Sequence, residues 1–273
     1  MTHGMARTWP QEELIDLGID GDPILNDSVA TWKIRFLTYL NVNYASIADL
    51  TGIEDFDSLQ TLRCYDNQLT SLDVSNNTAL KDLDCSDNQL TILNVSQNLA
   101  LERLYCSDNQ LTILNVSNNT ALEYLDCYNN QLTILNVSQN LALEYLDCGY
   151  NLLTTLDAKN GNNMNMDFDA EHNPNLYCVT VDDPNWSAAN WTDVDPWTSF
   201  SNNCATATYG CTDSLSLNYD STATINFCDY GMTYIPDNNF EQELIDLGID
   251  TDSILNDSVA TANIKFLTYL NVN

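Results

Sequence analysis

The chain carries little of the chemistry that enzymes run on. Its two histidines, His3 and His172, stand in no nucleophile motif, no Gly-rich phosphate loop and no Cys/His spacing suited to a metal. His172 reads as a loop residue. Asp and Glu total 39, so pairs of carboxylates are abundant and say nothing about general acid–base work. Tyrosine beside Asp or Asn at a fixed spacing is the more telling pattern. Such rings are rigid, amphipathic anchors that stack on sugars and bond their hydroxyls, or meet Arg and Lys of a protein. The set singled out is Tyr105, Tyr124, Asp126, Tyr128, Tyr145, Asp147 and Tyr150. The plain alternative is that strands favour Tyr and an acidic chain offers Asp everywhere. The expectation is a non-enzymatic chain that acts by binding or assembly and needs no cofactor.

These residues recur because a longer phrase recurs. From Leu59 to Leu153 the units LQTLRCYDNQLTSLDVSNNTA, LKDLDCSDNQLTILNVSQNLA, LERLYCSDNQLTILNVSNNTA, LEYLDCYNNQLTILNVSQNLA and LEYLDCGYNLL follow one another with a 21-residue period. Cys64, Cys85, Cys106, Cys127 and Cys148 keep the period, and so do Asn67, Asn88, Asn109, Asn130 and Asn151. Side chains alternate across a strand, so Leu104 and Cys106 are expected to face inward while Tyr105 and Ser107 face out. One unit cannot bury its own apolar side. Stacked units can, as parallel strands about 4.7–4.9 Å apart. The Asn column is expected to form a buried ladder whose amides pair with the turning backbone of each coil. The outward positions then collect on one concave face, running from Tyr39 and Tyr44 through Arg63, Asp82, Asp84 and Arg103 to Tyr145, Asp147 and Tyr150.

The unit LxxLxCxxNxL resembles that of leucine-rich repeat proteins, in the cysteine-ladder form found among internalins. The phrases LTGIEDFDSLQTL and NNTALEYLDC look more like the secreted leucine-rich repeat proteins of Bacteroidetes. The resemblance covers nearly the whole chain. It implies an α/β solenoid of about seven coils with parallel strands, a helical N-terminal cap and a disulfide-bridged C-terminal cap. It also implies a secreted or cell-surface, adhesin-like protein that holds a protein or carbohydrate ligand on its repeat face.

Composition narrows the partners. The 273 residues carry a net charge of −31, a surface that repels nucleic acid and anionic lipid and leaves basic partners, divalent cations or sugars. No apolar run approaches the roughly 20 residues that span a bilayer, so no membrane insertion is expected. The opening MTHGMARTWP has no hydrophobic signal segment, and a leader already removed or a longer parent chain is expected. The five ladder cysteines lie in parallel register, which suits disulfide geometry poorly, and are expected to be free, buried thiols. The other four, Cys178, Cys204, Cys211 and Cys228, lie in polar sequence where bridges staple segments with little core, a sign of an oxidising setting.

In order, residues 1–8 read as a leader remnant or scar and 9–36 as the helical N-terminal cap. Residues 37–176 form the solenoid, opening with a divergent coil and closing with a degenerate one that includes Phe168, Ala170, Asn173 and Leu176. Residues 177–204 resemble the C-terminal cap of the Bacteroidetes proteins, with a Cys178–Cys204 bridge and with Trp186, Trp191, Trp197 and Phe200 over the open core. Residues 205–231 look like a two-cysteine insert closed by Cys211–Cys228. Its Asp213 and Asp220 offer oxygen ligands to Ca²⁺, although their spacing is not that of an EF-hand. Asp-Ser-aliphatic triplets at Ser28, Ser58, Ser214, Ser253 and Ser258 resemble the Bacteroidetes O-glycosylation sequon. Asn94, Asn115 and Asn136 head Asn-x-Ser phrases that are by-products of the repeat.

Residues 232–273 are a second, truncated copy of the N-terminal cap. FEQELIDLGIDTDSILNDSVATANIKFLTYLNVN repeats PQEELIDLGIDGDPILNDSVATWKIRFLTYLNVN without a gap. A cap at both ends presents matching surfaces, and contacts of that kind that do not close on themselves build filaments. The alternative expectation is therefore head-to-tail self-association into an extracellular filament.

Overall fold

The computed structural model describes residues 34–206 continuously, and beyond them 208–210, 214, 217, 219–223, 225–226, 232–234, 242, 244 and 258–260. Most of the N-terminal cap, the Cys211–Cys228 pair, Asp213, Ser28, Ser253 and nearly all of the duplicated segment lie outside the described residues. The chain divides into two compact units that meet between Cys204 and Ala205.

In the first unit each LxxLxC phrase becomes a three-residue strand. These are β1 Tyr39–Asn41, β2 Thr61–Arg63, β3 Asp82–Asp84, β4 Arg103–Tyr105 and β5 Tyr124–Asp126. The convex strand β6 (Ile134–Asn136) follows, then β7 Tyr145–Asp147, a second convex strand β8 (Thr155–Asp157) and β9 Asp167–Ala170. Past the repeats come β10 Cys178–Thr180, β11 Asp193–Val194 and β12 Ser199–Ser201. One eight-stranded sheet runs β1-β2-β3-β4-β5-β7-β9-β11, and a four-stranded sheet on the other side runs β12-β10-β8-β6. All these pairings are parallel and in register, Leu62 opposite Leu83 and Leu104 opposite Leu125. The solenoid thus has seven repeat coils, and the cap adds the eighth strand of the sheet. Its α-helical parts among the described residues are Ile34, just before the first coil, and one short helix in the C-terminal cap. The repeats themselves pass through turns on the convex side.

The core is a row of identical layers. Leu62, Leu83, Leu104, Leu125 and Leu146 are fully buried, as are Val74, Val95, Val116 and Val137 from the opposite wall. Burying each such side chain is worth roughly 1.5–3 kcal/mol. The five ladder cysteines are free and buried. Four donate from Sγ to a carbonyl of the next coil, Cys106 to Asp126 O and Cys127 to Asp147 O at 3.3 Å each, and likewise Cys85 and Cys148. Burial drives their thiol pKa values upward.

Two asparagine ladders clamp the coils. Asn109 donates from Nδ2 to Cys85 O, Cys106 O and Ser107 O, and its Oδ1 accepts from Leu90 N at 2.9 Å. The sharp turn it serves puts the preceding residue in the left-handed region, at Asp66, Asp87, Asp108 and Asn129 with φ of 50–53°, where Asp and Asn are the side chains best tolerated. A second ladder, Asn77, Asn98, Asn119 and Asn140, is wholly buried on the convex side. Asn119 donates to Val95 O and Asn98 O. The period there breaks at Gly161, whose φ is +78°, and Asn160 takes over the donation to Asn140 O. Between the ladders, Asn94, Asn115 and Asn136 each accept from the backbone two residues on, closing small turns.

The C-terminal cap closes the row. Asp183 caps a seven-residue helix, α1 (Pro184–Asn190), by accepting from Asn185 N and Trp186 N, and Pro184 sits where a missing N–H costs nothing. Trp191 is the lid: it stacks on Phe168 at 4.1 Å and donates from Nε1 to Met166 O. Trp186 and Phe200 pack against the core, whereas Trp197 is 36% exposed and stands apart from that cluster. Cys178 and Cys204 form the expected disulfide, with Cα atoms 5.9 Å apart.

In the second unit, β13 (Tyr209–Gly210) pairs parallel with β14 (Ile225–Asn226), and β15 (Met232–Tyr234) pairs antiparallel with β16 (Ser258–Ala260). Asp220 accepts from the backbone and hydroxyl of Thr222. Among the described residues no group of His, Cys, Asp or Glu is arranged to hold a metal ion. No described helix is long and apolar enough to cross a membrane. Of the glycosylation triplets, Ser58 is half-buried in the turn before β2, Ser214 is exposed and Ser258 opens β16.

Candidate ligand-binding face

Because each strand is three residues long with its middle leucine inward, it presents two outward columns. One reads Tyr39, Thr61, Asp82, Arg103, Tyr124, Tyr145 and Asp167 across the sheet; the other reads Asn41, Arg63, Asp84, Tyr105, Asp126, Asp147 and Asp169. Parallel register keeps equivalent positions one strand spacing apart, so like meets like.

Three tyrosines of the predicted set line up. The rings of Tyr105 and Tyr124 lie 4.7 Å apart, and those of Tyr124 and Tyr145 lie 4.1 Å apart with only 2° between their planes. All three are half-buried. Burial raises the pKa of Tyr145, and the hydrogen bond it donates to its neighbour Tyr124 adds to the rise. Tyr128 and Tyr150 belong to a separate group, 5.1 Å apart, and Tyr150 stacks in turn on His172 at 3.9 Å. His172 is thus more than a loop residue. Tyr150 and His172 both take left-handed φ, 51° and 58°, at the column that holds Asp or Asn in earlier coils.

Beside the rings runs a column of acids. Asp126 accepts from Tyr128 N and Ser107 Oγ, Asp147 from Gly149 N, and Asp169 from Glu171 N. Among the described residues no Arg or Lys pairs with these three. Burial pushes the Asp147 carboxyl up to about 6, and Asp169 and Asp126 push the same way. Asp126 is raised by burial as well. Gly149 is buried beside them, where a Cβ would crowd Asp147 Oδ1, Asp169 Oδ1 and Glu171 O at 3.3 Å.

The first half of the face differs from its expected appearance. Asp82 and Asp84 were placed outward by the alternation, and they are, yet they are only 9% and 7% exposed. Arg63 covers them. Its Nη2 donates to Asp82 at 2.9 Å and its Nη1 to Asp84 at 3.1 Å, and its guanidinium carbon sits 5.4 Å from the centre of the Tyr105 ring. Arg103 approaches Asp82 at 3.9 Å from the other side.

The convex side holds a feature that strand alternation did not flag. Ile92, Ile113 and Ile134, at the same position of successive coils, are 60–71% exposed, and Leu99 and Leu141 are exposed too. The signal was present in the recurring TIL phrase, whose isoleucine precedes each inward leucine. Ile113 and Ile134 flank a shallow depression lined by Thr112, Ser117 and Gln139.

No protein-family model matches the chain. Internalin J of Listeria monocytogenes serotype 4b is 43% identical over 52 residues, 19% of this chain and 6% of that protein. The chain is homologous to internalin J over that stretch, and the matched part is a small fraction of the relative's length. Among solved structures, the functional domain of the Listeria protein, which includes a cysteine ladder, aligns with 64% of this chain and 64% of its own at 22% identity and a TM-score of 0.28. The leucine-rich repeat protein LIC12759 of Leptospira interrogans aligns with 48% of this chain and 33% of its own, at 28% identity and a TM-score of 0.37. The leucine-rich repeat domain of APL1B covers 66% of this chain and 52% of its own at 21% identity and a TM-score of 0.46.

Proposed function

We propose that this is a non-enzymatic, extracellular or cell-surface protein that binds a protein or carbohydrate ligand on the outward face of its strands, in the manner of an adhesin. The observation that carries the reading is the coplanar Tyr124–Tyr145 pair, half-buried in the outward columns of the strands and bordered by Asp126 and Asp147. Rings held by their neighbours lose little freedom when a ligand arrives, which is what makes tyrosine an effective anchor. The double variant Tyr124→Ala/Tyr145→Ala, tested beside the unaltered chain on protein and glycan arrays, is expected to lose its ligands. Each ring should contribute about 1–2 kcal/mol. An unchanged binding profile returns both rings to the framework.

Head-to-tail self-association is the second reading, and it rests on the duplication of residues 10–43 at 240–273. A chain lacking residues 232–273 should then be smaller by light scattering than the full chain. Equal size removes that reading.

A further inference from the structure

We propose that the strip from Tyr124 to Asp169 receives an arginine-bearing segment of a protein partner, its guanidinium lying against the Tyr124–Tyr145 pair and forking onto the carboxylates of Asp126 and Asp147. This rests on the ligand-binding reading of the same strip and narrows it to one kind of ligand.

The molecule already displays what this face does with a guanidinium. Arg63 forks onto Asp82 and Asp84 and lies over the Tyr105 ring. Further along the sheet the same acceptors and rings recur but, among the described residues, the cation does not. Tyr124 and Tyr145 fill one column and Asp126, Asp147 and Asp169 the next, each one parallel strand from its neighbour. Among the described residues the carboxylates bond only to local backbone N–H groups and a serine hydroxyl. Adjacent unneutralised carboxylates repel one another, and a guanidinium set between them relieves that repulsion while stacking on the rings.

Two features select the ligand's chemistry. The acid column presents carboxylates and, among the described residues, no Arg or Lys beside them, which suits a group made only of donors. Arginine carries five donors in a planar fork and stacks on aromatic faces, whereas lysine is a point charge that does neither well. A neutral sugar satisfies the rings but leaves the acid column uncompensated, and an acidic sugar adds to it. The net charge of −31 favours approach of a basic partner over the whole surface.

The full chain should be titrated with fluorescent hexa-arginine, hexa-lysine and maltohexaose at near-physiological salt. Hexa-arginine is expected to bind at least about tenfold tighter than hexa-lysine. Asp147→Asn and Tyr145→Ala should each weaken it by about tenfold, while Asp66→Asn, an exposed acid away from the strip, should not. Thermal melting of the variants no lower than the parent's ties the loss to the strip. Equal affinity for the two peptides, no binding of hexa-arginine, or indifference to Asp147→Asn overturns the inference. If maltohexaose binds and depends on Tyr145 but not Asp147, the inference fails and the ligand-binding reading stands; if nothing tested depends on Tyr145, both fall.

Discussion

The two halves of the outward face are built from the same residues on the same scaffold, yet one is closed and the other open. In β2–β4, Arg63 and Arg103 lie on Asp82 and Asp84, so the acids are covered. In β5, β7 and β9 the acids Asp126, Asp147 and Asp169 stand beside the stacked Tyr124–Tyr145 pair with, among the described residues, no cation against them. A repeat that fixes the inward side so tightly leaves each outward position free to vary alone. One arginine decides whether a stretch of the face neutralises itself or waits for something else to do so.

If that difference is confined to the outward side, the scaffold beneath must be equally strong in both halves. Asn88 and Asn130 make the same bonds, each accepting from a leucine N–H and donating to three carbonyls. Asn88→Ala and Asn130→Ala should each cost about 3 kcal/mol, because several buried backbone groups lose their partner at once. Urea titration checks this, and a difference between the two much above 1 kcal/mol would mean that the halves differ in the core as well.

Removing the self-neutralising cation should make the first half resemble the second. Arg63→Gln removes the ion pair to Asp84 and the closer of the two to Asp82, and about 1–2 kcal/mol of stability should be lost, less than for a fully buried pair because Arg63 is partly exposed. The variant should also gain affinity for hexa-arginine near Tyr105. A variant as stable as the parent would show the Arg63 pairs to be ornamental.

The smallest effect is a pH dependence carried by the open half. The Asp147 carboxyl is held up to about 6 by burial and by the acids on both flanking strands, Asp169 on β9 and Asp126 on β5, against an unfolded value of about 3.9. Tyr124 and Tyr145 border it and do not ionise in that range. Between the two values the folded chain binds the extra proton, so Asp147 favours folding at low pH and that contribution is lost as pH rises through 6. Asp147→Asn should therefore melt higher than the parent above about pH 6 and level with it near pH 4. A melting difference that ignores pH would place the proton elsewhere.

How much of this was legible in the sequence depends on which side of the strand a residue faces. The strands, the free thiols and the first asparagine ladder follow from a 21-residue period and simple alternation, because an inward position has one set of neighbours and one solution. The Cys178–Cys204 bridge followed from the resemblance. The burial of Asp82 and Asp84 did not, since it depends on a long side chain from another coil choosing to lie across them. The split of the tyrosines into two groups was hidden for a similar reason. Tyr128 and Tyr150 stand beyond the strand ends, where the turn redirects them. The second ladder was there to be found: Asn77, Asn98, Asn119 and Asn140 keep the period as faithfully as the first. Among the cap rings, composition could not tell the lid Trp191 from the exposed Trp197, because helix α1 decides which indole turns inward.

The thiol ladder has one more consequence. Every regular coil carries a single cysteine, fully buried, with its ionisation suppressed by burial, so a thiol reagent reaches it only when that coil opens. The five sulfurs thus form a set of evenly spaced clocks along the stack. The rate at which each one is alkylated reports the opening free energy of its own coil, and the gradient of rates from Cys64 to Cys148 shows whether the stack frays from an end or opens as one body.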